Sequence, residues 1–103
     1  MSRVLIVEND AHLSRALARA LQRDHVTVEV ASADAAHAVV AAGGVDAVVC
    51  EWLLDDLKWV ARENPRIRCV LMSSQRPPRE ATKKLRFLLK PFAMADLFIA
   101  LTV

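Results

Sequence analysis

The sequence has few of the residues on which several common site chemistries depend. Only two of its 103 residues are glycine, two are cysteine and none is tyrosine, and aromatic residues make up 5%. Because Cys50 and Cys69 lack the close spacing of a metal or redox motif, we predict that both are buried structural thiols. Gly43 and Gly44 stand together far from the first predicted strand, so no glycine-rich phosphate-binding loop follows that strand.

Long apolar stretches are missing as well. No segment approaches the roughly 20 apolar residues that cross a bilayer, and the apolar run near the start is too short for a signal peptide. We therefore expect a cytoplasmic protein without membrane contact. The net charge of +2 is too small to indicate direct nucleic-acid binding. A hydrophobic fraction of 54% predicts a folded chain, and the length predicts one domain over residues 1–103.

Short apolar runs alternate with helical patterns along the chain. Strands are predicted at residues 3–7, 25–30, 45–50, 67–72 and 86–89. A helix is predicted after each strand: through about residue 22, from Ser32 to Gly43, over 54–61, from Pro77 to about Lys84, and from about Met94 onward. Strict alternation of strand and helix predicts an α/β fold, a single three-layer α/β/α domain with a parallel sheet covered on both faces.

Polar residues follow four of these strands directly. They are Glu8-Asn9-Asp10, Glu51, Ser73-Ser74 and Lys90. Because parallel strands place their carboxyl ends at one edge of the sheet, we expect these acids, hydroxyls and the lysine to form one site. Local roles are the alternative: Asn9 or Asp10 caps the next helix, and Ser73 or Ser74 bonds to nearby backbone.

The order of these motifs resembles the receiver domains of response regulators in bacterial two-component signalling, over essentially the whole chain. The matching segments are Val4-Leu5-Ile6-Val7-Glu8-Asn9-Asp10, Asp46-Ala47-Val48-Val49-Cys50-Glu51-Trp52, Val70-Leu71-Met72-Ser73-Ser74 and Leu88-Leu89-Lys90-Pro91-Phe92. The resemblance implies a flavodoxin-like fold with a five-stranded sheet in the order 2-1-3-4-5. The intervals from Glu51 to Ser74 and from Ser74 to Lys90 are short for the family, which implies shortened third and fourth helices.

The resemblance also implies a phosphorelay site, in which an acid accepts a phosphoryl group from a histidine kinase beside Mg²⁺. Glu51 occupies the phosphoacceptor position, Ser74 the switch hydroxyl and Lys90 the phosphate-neutralising lysine. The implied metal ligands are Glu8, Asn9, Asp10, Glu51 and the backbone carbonyl of Leu53. Phe87 aligns with an aromatic switch position, although an ordinary core role is the alternative for it.

Two departures from the family pattern reduce the expected phosphorylation. Where the family has aspartate, Glu51 has an extra methylene that moves its carboxylate by about one ångström, and such a displacement can lower a rate by about a hundredfold. Asn9 replaces an acid that normally contacts the metal, so the one expected cofactor, Mg²⁺, should bind weakly through Glu8 and Glu51. The loop after Glu51 also lacks the family's proline and glycine.

Three hypotheses follow. The leading one is a degenerate receiver, not an enzyme, in which a Lys90–Glu51 ion pair replaces the phosphorylated acid and the domain binds a signalling protein or histidine kinase. The second is a working Mg²⁺-dependent phosphoacceptor that uses Asp10, Asp55 or another geometry. The third is an unrelated nucleotide-binding α/β domain, which the missing glycine-rich loop disfavours. None of the three histidines lies near the predicted site.

The last helix and fifth strand form the predicted interaction surface. The helix from Met94 is apolar nearly all round, so if Leu97, Ala100 and Leu101 face the sheet, Phe98 points outward with its neighbour Ile99. In the family this region is a frequent dimer and partner surface, so the resemblance implies a homodimer or partner contact here. A basic rim is predicted beside it, formed by Arg76, Arg79, Lys83, Lys84 and Arg86.

Overall fold

A computed structural model describes residues 2–51, 54–75 and 85–102, without the side chains of 54–58 and 102. The described chain contains five strands and four helices. In chain order these are β1 (Ser2–Val7), α1 (Ala11–Leu21), β2 (His25–Val30), α2 (Ala33–Ala42), β3 (Ala47–Cys50), α3 (Leu54–Glu63), β4 (Arg68–Ser73), β5 (Arg86–Leu89) and α4 (Met94–Thr102).

All five strands form one parallel sheet in the order β2-β1-β3-β4-β5. The chain begins at β1 inside the sheet, adds β2 on one side of it, and then adds β3, β4 and β5 in turn on the other side. The winding direction therefore reverses between the neighbouring strands β1 and β3. The predicted flavodoxin-like topology is therefore confirmed. At such a reversal the carboxyl ends of the strands border a crevice, which is where open α/β sheets hold their sites.

Two apolar clusters cover the two faces of the sheet. Side chains alternate along each strand, so Val4 and Ile6 face one layer and Leu5 and Val7 face the other. The first cluster includes residues of α1 and α4, and the second includes residues of α2 and α3. Strand β3 is buried along its whole length and β4 at every residue between its two ends, which explains why both read as unbroken apolar runs instead of alternating patterns.

Helix α2 begins and ends where the sequence predicts. The Ser32 side chain accepts a hydrogen bond from the N–H of Ala35, which satisfies one of the free donors at the helix start. Gly43 follows the last turn with φ of 87°, a conformation that favours glycine because it has no Cβ. The pair Gly43-Gly44 therefore lets the chain turn between α2 and β3.

The predicted strand bounds agree with the structure to within two residues, and those of β2 and β5 match fully. Helix α3 is ten residues long, against eleven for α1. The predicted fourth helix, from Pro77 to about Lys84, lies outside the described residues, as do the basic-rim residues Arg76, Arg79, Lys83 and Lys84.

Cys50 and Cys69 are buried as expected, and burial raises the pKa of the Cys69 thiol to about 11. Within the described ranges, no helix is both long and apolar enough to cross a membrane.

Candidate functional site

The ends of β1, β3 and β5 bring two acids and a lysine together. Val7 pairs with Cys50 across the β1–β3 ladder, so the residues that follow them, Glu8 and Glu51, leave the sheet side by side. Lys90 follows the last residue of β5, two strands away from β3. Its long side chain spans that separation, which places all three groups in one cluster at the carboxyl edge.

The Lys90 ammonium group binds both carboxylates. Its Nζ lies 2.6 Å from Glu51 Oε1 and 3.5 Å from Glu8 Oε2. The exposed fractions of the side chains are 20% for Lys90, 35% for Glu51 and 0% for Glu8. Glu8, which follows β1, is therefore fully buried, and the other two side chains are partly buried. Three ionised groups would carry a net charge of −1, which one further positive group or one proton would neutralise. The hypothesised contact between Lys90 and Glu51 is thus present in the structure.

Glu8 is the most deeply placed member of the cluster. One oxygen, Oε1, accepts a hydrogen bond from the backbone N–H of Asp10 at 3.0 Å. The other, Oε2, is buried and accepts no hydrogen bond from the described residues. Burial raises the pKa of Glu8, and a hydrogen bond with the Glu51 carboxyl raises it further, against the lowering effects of the Asp10 N–H and Lys90. Glu8 therefore keeps its proton to a higher pH than an isolated glutamate.

The pKa of Glu51 shifts in the opposite direction to that of Glu8. The hydrogen bond with Glu8 is the largest influence and lowers the pKa of Glu51, and the hydrogen bond and charge of Lys90 lower it as well, while burial works against them. A proton held by the pair thus resides on Glu8, and the negative charge resides on Glu51 beside Lys90. The two acids consequently play different roles, although they occupy equivalent ends of adjacent strands.

The other predicted metal ligands are placed less favourably. Asp10 is the N-cap of α1, and its Oδ1 accepts hydrogen bonds from the N–H groups of His12 and Leu13 at 3.0 and 3.2 Å. The Asn9 side chain is exposed, and Leu53 lies outside the described residues. Among residues that the structure describes, no three His, Cys, Asp or Glu side chains are grouped as a metal site.

The position of Lys90 bears on how well Mg²⁺ fits between the two acids. A divalent ion at Glu8 and Glu51 would share both carboxylates with Lys90, a cation already present in the chain and 2.6 Å from one of them. Glu8 Oε2 accepts no hydrogen bond from the described residues, but Lys90 Nζ already lies 3.5 Å from it. The described side chains therefore fit a divalent metal weakly.

The predicted hydroxyl and aromatic positions lie near this cluster in different environments. Ser73 uses its Oγ locally to accept the N–H of Gln75 at 3.1 Å, while its carbonyl accepts the N–H of Lys90 at 2.8 Å. The next residue, Ser74, is exposed and lines a concavity together with Lys90. Phe87 is half-buried and packs against the core cluster on the α2 and α3 side.

Helix α4 presents an apolar surface away from the sheet. Leu97 and Ala100 are buried at 0% and 7% exposure, and Leu101 packs against the same cluster. Phe98 is 41% exposed and Ile99 is 57% exposed, which confirms the predicted orientation of this helix. The outward side of α4 therefore carries large apolar side chains that the core does not require.

One polar contact went unpredicted although the sequence contains a signal for it. Ser14 is buried on α1, and its hydroxyl donates to Glu29 Oε1 on β2 at 2.9 Å. Glu29 Oε2 also lies 3.5 Å from Arg15 Nη1. Buried residues of α1 occur at positions 14, 17, 18 and 21, so helical spacing alone would have placed Ser14 inside. This contact holds the edge strand β2 against α1.

Comparison with solved structures identifies the fold. The response regulator TrrA from Thermotoga maritima, in complex with Mg²⁺-BeF, matches with a TM-score of 0.84 at 16% sequence identity, over 96% of this chain and 95% of that chain. A structure of the histidine kinase ThkA in complex with TrrA matches with a TM-score of 0.83 at 15% identity, over the full length of both chains. A CheY-like receiver domain from Methylobacillus flagellatus matches with a TM-score of 0.81 at 24% identity, over 94% of this chain and 92% of that chain.

Two further comparisons, with family models and with curated proteins, give no match for this sequence. The chain nevertheless has the flavodoxin-like fold of response regulator receiver domains, in topology and over nearly its whole length.

Proposed function

We propose that this chain is a degenerate receiver module of two-component signalling, which binds a protein partner and takes up little or no phosphoryl group. The observation that carries the proposal is the 2.6 Å contact between Lys90 Nζ and Glu51 Oε1. In the receiver resemblance these two positions belong to the phosphoacceptor and to the lysine that neutralises the phosphoryl oxygens. Here the lysine neutralises a resident carboxylate instead.

The charge arrangement supports this proposal in a second way. Phosphoryl transfer depends almost entirely on positioned positive charge around the moving group. Lys90 already contacts two carboxylates, and the amide of Asn9 supplies no negative charge for a metal. Mg²⁺ at Glu8 and Glu51 would therefore bind weakly, and the Glu51 carboxylate would have to leave Lys90 before it attacked a phosphoryl donor.

The second candidate is a Mg²⁺-dependent phosphoacceptor that works despite these changes. The buried oxygen Glu8 Oε2 favours it, since this atom accepts no hydrogen bond among the described residues and would gain from a cation. The solved TrrA complex with Mg²⁺-BeF is a precedent for Mg²⁺ bound to a protein of the same fold. We rank this candidate second because the geometry supplies two carboxylates already paired with Lys90.

The proposed partner is a signalling protein, with a histidine kinase as one form of it. The complex of ThkA with TrrA provides a precedent for a kinase bound to this fold. On the present chain the exposed side chains of Phe98 and Ile99, together with Leu89 at 40% exposure, make the outward side of α4 and β5 the proposed contact surface. A second copy of the chain is the alternative occupant of that surface.

Intact-mass measurement after incubation with Mg²⁺ and acetyl phosphate tests the proposal. We expect the mass of the wild-type chain to stay unchanged. The matched control combines Glu51→Asp with Asn9→Asp, which restores both family acids, and we expect it to gain one phosphoryl group under the same conditions. A phosphoryl group on the wild-type chain would overturn the proposal in favour of the second candidate.

A further inference from the structure

A polar cavity lies at the amino edge of the sheet, opposite the cluster of Glu8, Glu51 and Lys90. It has a volume of about 400 Å³, and its polar lining side chains are Ser2, His25, Asp46, Arg66 and Arg68. These residues come from the starts of β1, β2, β3 and β4 and from the turn before β4. Strands of this length separate the two edges by about 20 Å, so the cavity is independent of the carboxyl-edge site.

Several polar groups in this cavity have no partner within the described part of the chain. The guanidinium groups of Arg66 and Arg68 make no ion pair or side-chain hydrogen bond with described residues. Nδ1 of His25 is buried and has no hydrogen-bond partner there. A buried ring nitrogen without a partner is unfavourable unless a ligand or water supplies one. The two guanidinium groups and the His25 ring thus line one concave site.

The charge balance of the cavity favours an anion. Among the described lining residues Asp46 is the one acid, and its Oδ2 accepts the backbone N–H of Arg3 at 2.8 Å. Two arginines against one such carboxylate leave the cavity with a net positive charge. Guanidinium groups offer paired N–H donors that match the oxygens of phosphate and carboxylate groups. The hydroxyl of Ser2, which pairs in register with His25, adds a further donor.

We propose that this amino-edge cavity binds a phosphate group, either free or carried by a small organic molecule. The arginines supply the charge, and Ser2 and His25 supply further hydrogen-bonding groups at the strand starts. Helix α4 ends beside the cavity, since Leu101 lines it, and the negative end of a helix opposes a bound anion. We therefore expect a dissociation constant of about 1 mM for inorganic phosphate, not one in the micromolar range.

A titration of the whole chain with inorganic phosphate, followed by ¹H–¹⁵N NMR at constant ionic strength, tests this proposal. We expect saturable shifts at Ser2, His25, Arg66 and Arg68. A parallel titration with glycerol 3-phosphate distinguishes the two sources of the group. Tighter binding than inorganic phosphate would assign the site to a phosphate ester, and equal binding would assign it to the free ion.

Single substitutions separate specific binding from general charge effects. Arg66 is exposed in a turn, so Arg66→Gln leaves the fold intact and should weaken phosphate binding about tenfold through loss of a charge-assisted contact. The matched control Arg19→Gln removes an exposed arginine from α1 and should leave binding unchanged. Equal weakening by both substitutions, or the same shifts with chloride alone, would overturn the proposal.

Discussion

The ammonium nitrogen of Lys90 lies 2.6 Å from a carboxylate oxygen of Glu51. This contact joins the end of β5 to the end of β3 across β4, and the same nitrogen lies 3.5 Å from Glu8 at the end of β1. One lysine therefore neutralises two acids that leave adjacent strands. Because the three side chains are partly or fully shielded from water, their interaction is stronger than that of an ordinary surface pair.

Replacing Lys90 should destabilise the fold. Lys90→Met keeps most of the side-chain volume but leaves two neighbouring carboxylates without their counter-ion. Removal of one partner from a buried ion pair costs about 3–5 kcal/mol, and the partial exposure of Lys90 and Glu51 reduces this to about 2 kcal/mol. Urea unfolding at neutral pH measures the change. Glu51→Gln in the Lys90→Met background should recover part of the loss, and a purely additive result would mean that the two residues do not interact.

Replacing Lys90 should also strengthen divalent metal binding. Without the resident ammonium group, Glu8 Oε2 and Glu51 Oε1 become available to an external cation. We expect Lys90→Met to bind Mg²⁺ at least about tenfold more tightly than the wild-type chain, because a competing positive charge is removed. Calorimetric titration measures both affinities. Addition of Glu8→Gln should abolish the gain, whereas equal metal binding by wild type and Lys90→Met would rule out competition by the lysine.

Glu51 and Glu8 should change the free energy of unfolding in opposite directions as the pH rises. The pKa of Glu51 in the folded chain lies below the ordinary value of 4.5, so its contribution is present above that pH and is lost as pH falls through the lower folded value. The pKa of Glu8 lies above 4.5, so its contribution is present at lower pH and is lost as pH rises through the raised folded value.

Two single variants separate these profiles. Between about pH 3 and pH 7, the stability of wild type relative to Glu51→Gln should rise, and that of wild type relative to Glu8→Gln should fall. Urea unfolding across this range measures both differences. If the two differences change in the same direction, the assignment of the shared proton to Glu8 is incorrect.

The acid at position 10 should act mainly as a helix cap. Asp10 accepts N–H groups from His12 and Leu13, so Asp10→Ala should reduce the free energy of unfolding by about 1 kcal/mol. Asp10→Asn keeps a side-chain oxygen at the same place and should retain most of that stability. Thermal unfolding of both variants measures the contrast. An equally large loss for Asn and Ala would show that the charge, not the capping oxygen, stabilises this end of α1.

Much of this molecule was predictable from local sequence patterns. Continuous apolar runs marked β1, β3 and β4 because both faces of those strands are buried. Ser32 and Gly43 marked the ends of α2 through capping chemistry that acts within a few residues. Convergence of Glu8, Glu51 and Lys90 followed from parallel strands alone, since each residue stands directly after its strand. These signals are local or depend on topology, so a single sequence contains them.

Contacts between distant surfaces were harder to predict. The sequence offered Glu8 as a metal ligand, but its contact with Lys90 depends on how far a lysine side chain extends across two intervening strands. The cavity lined by His25, Arg66 and Arg68 depends on the relative positions of two strand starts and a turn, which no periodic pattern encodes. The proposed carbonyl ligand Leu53 and the predicted fourth helix lie outside the described residues.

Site-resolved pH titration of the glutamate side-chain carboxyl carbons by NMR most directly tests whether Lys90 holds Glu51 in place of a phosphoryl group. In the wild-type chain we predict that Glu51 titrates below 4.5 and Glu8 above it. Lys90→Met should raise the pKa of both carboxyl groups, because the ammonium charge lowers each of them. Titration curves for Glu8 and Glu51 that stay the same after this substitution would contradict the ion pair on which the proposed function depends.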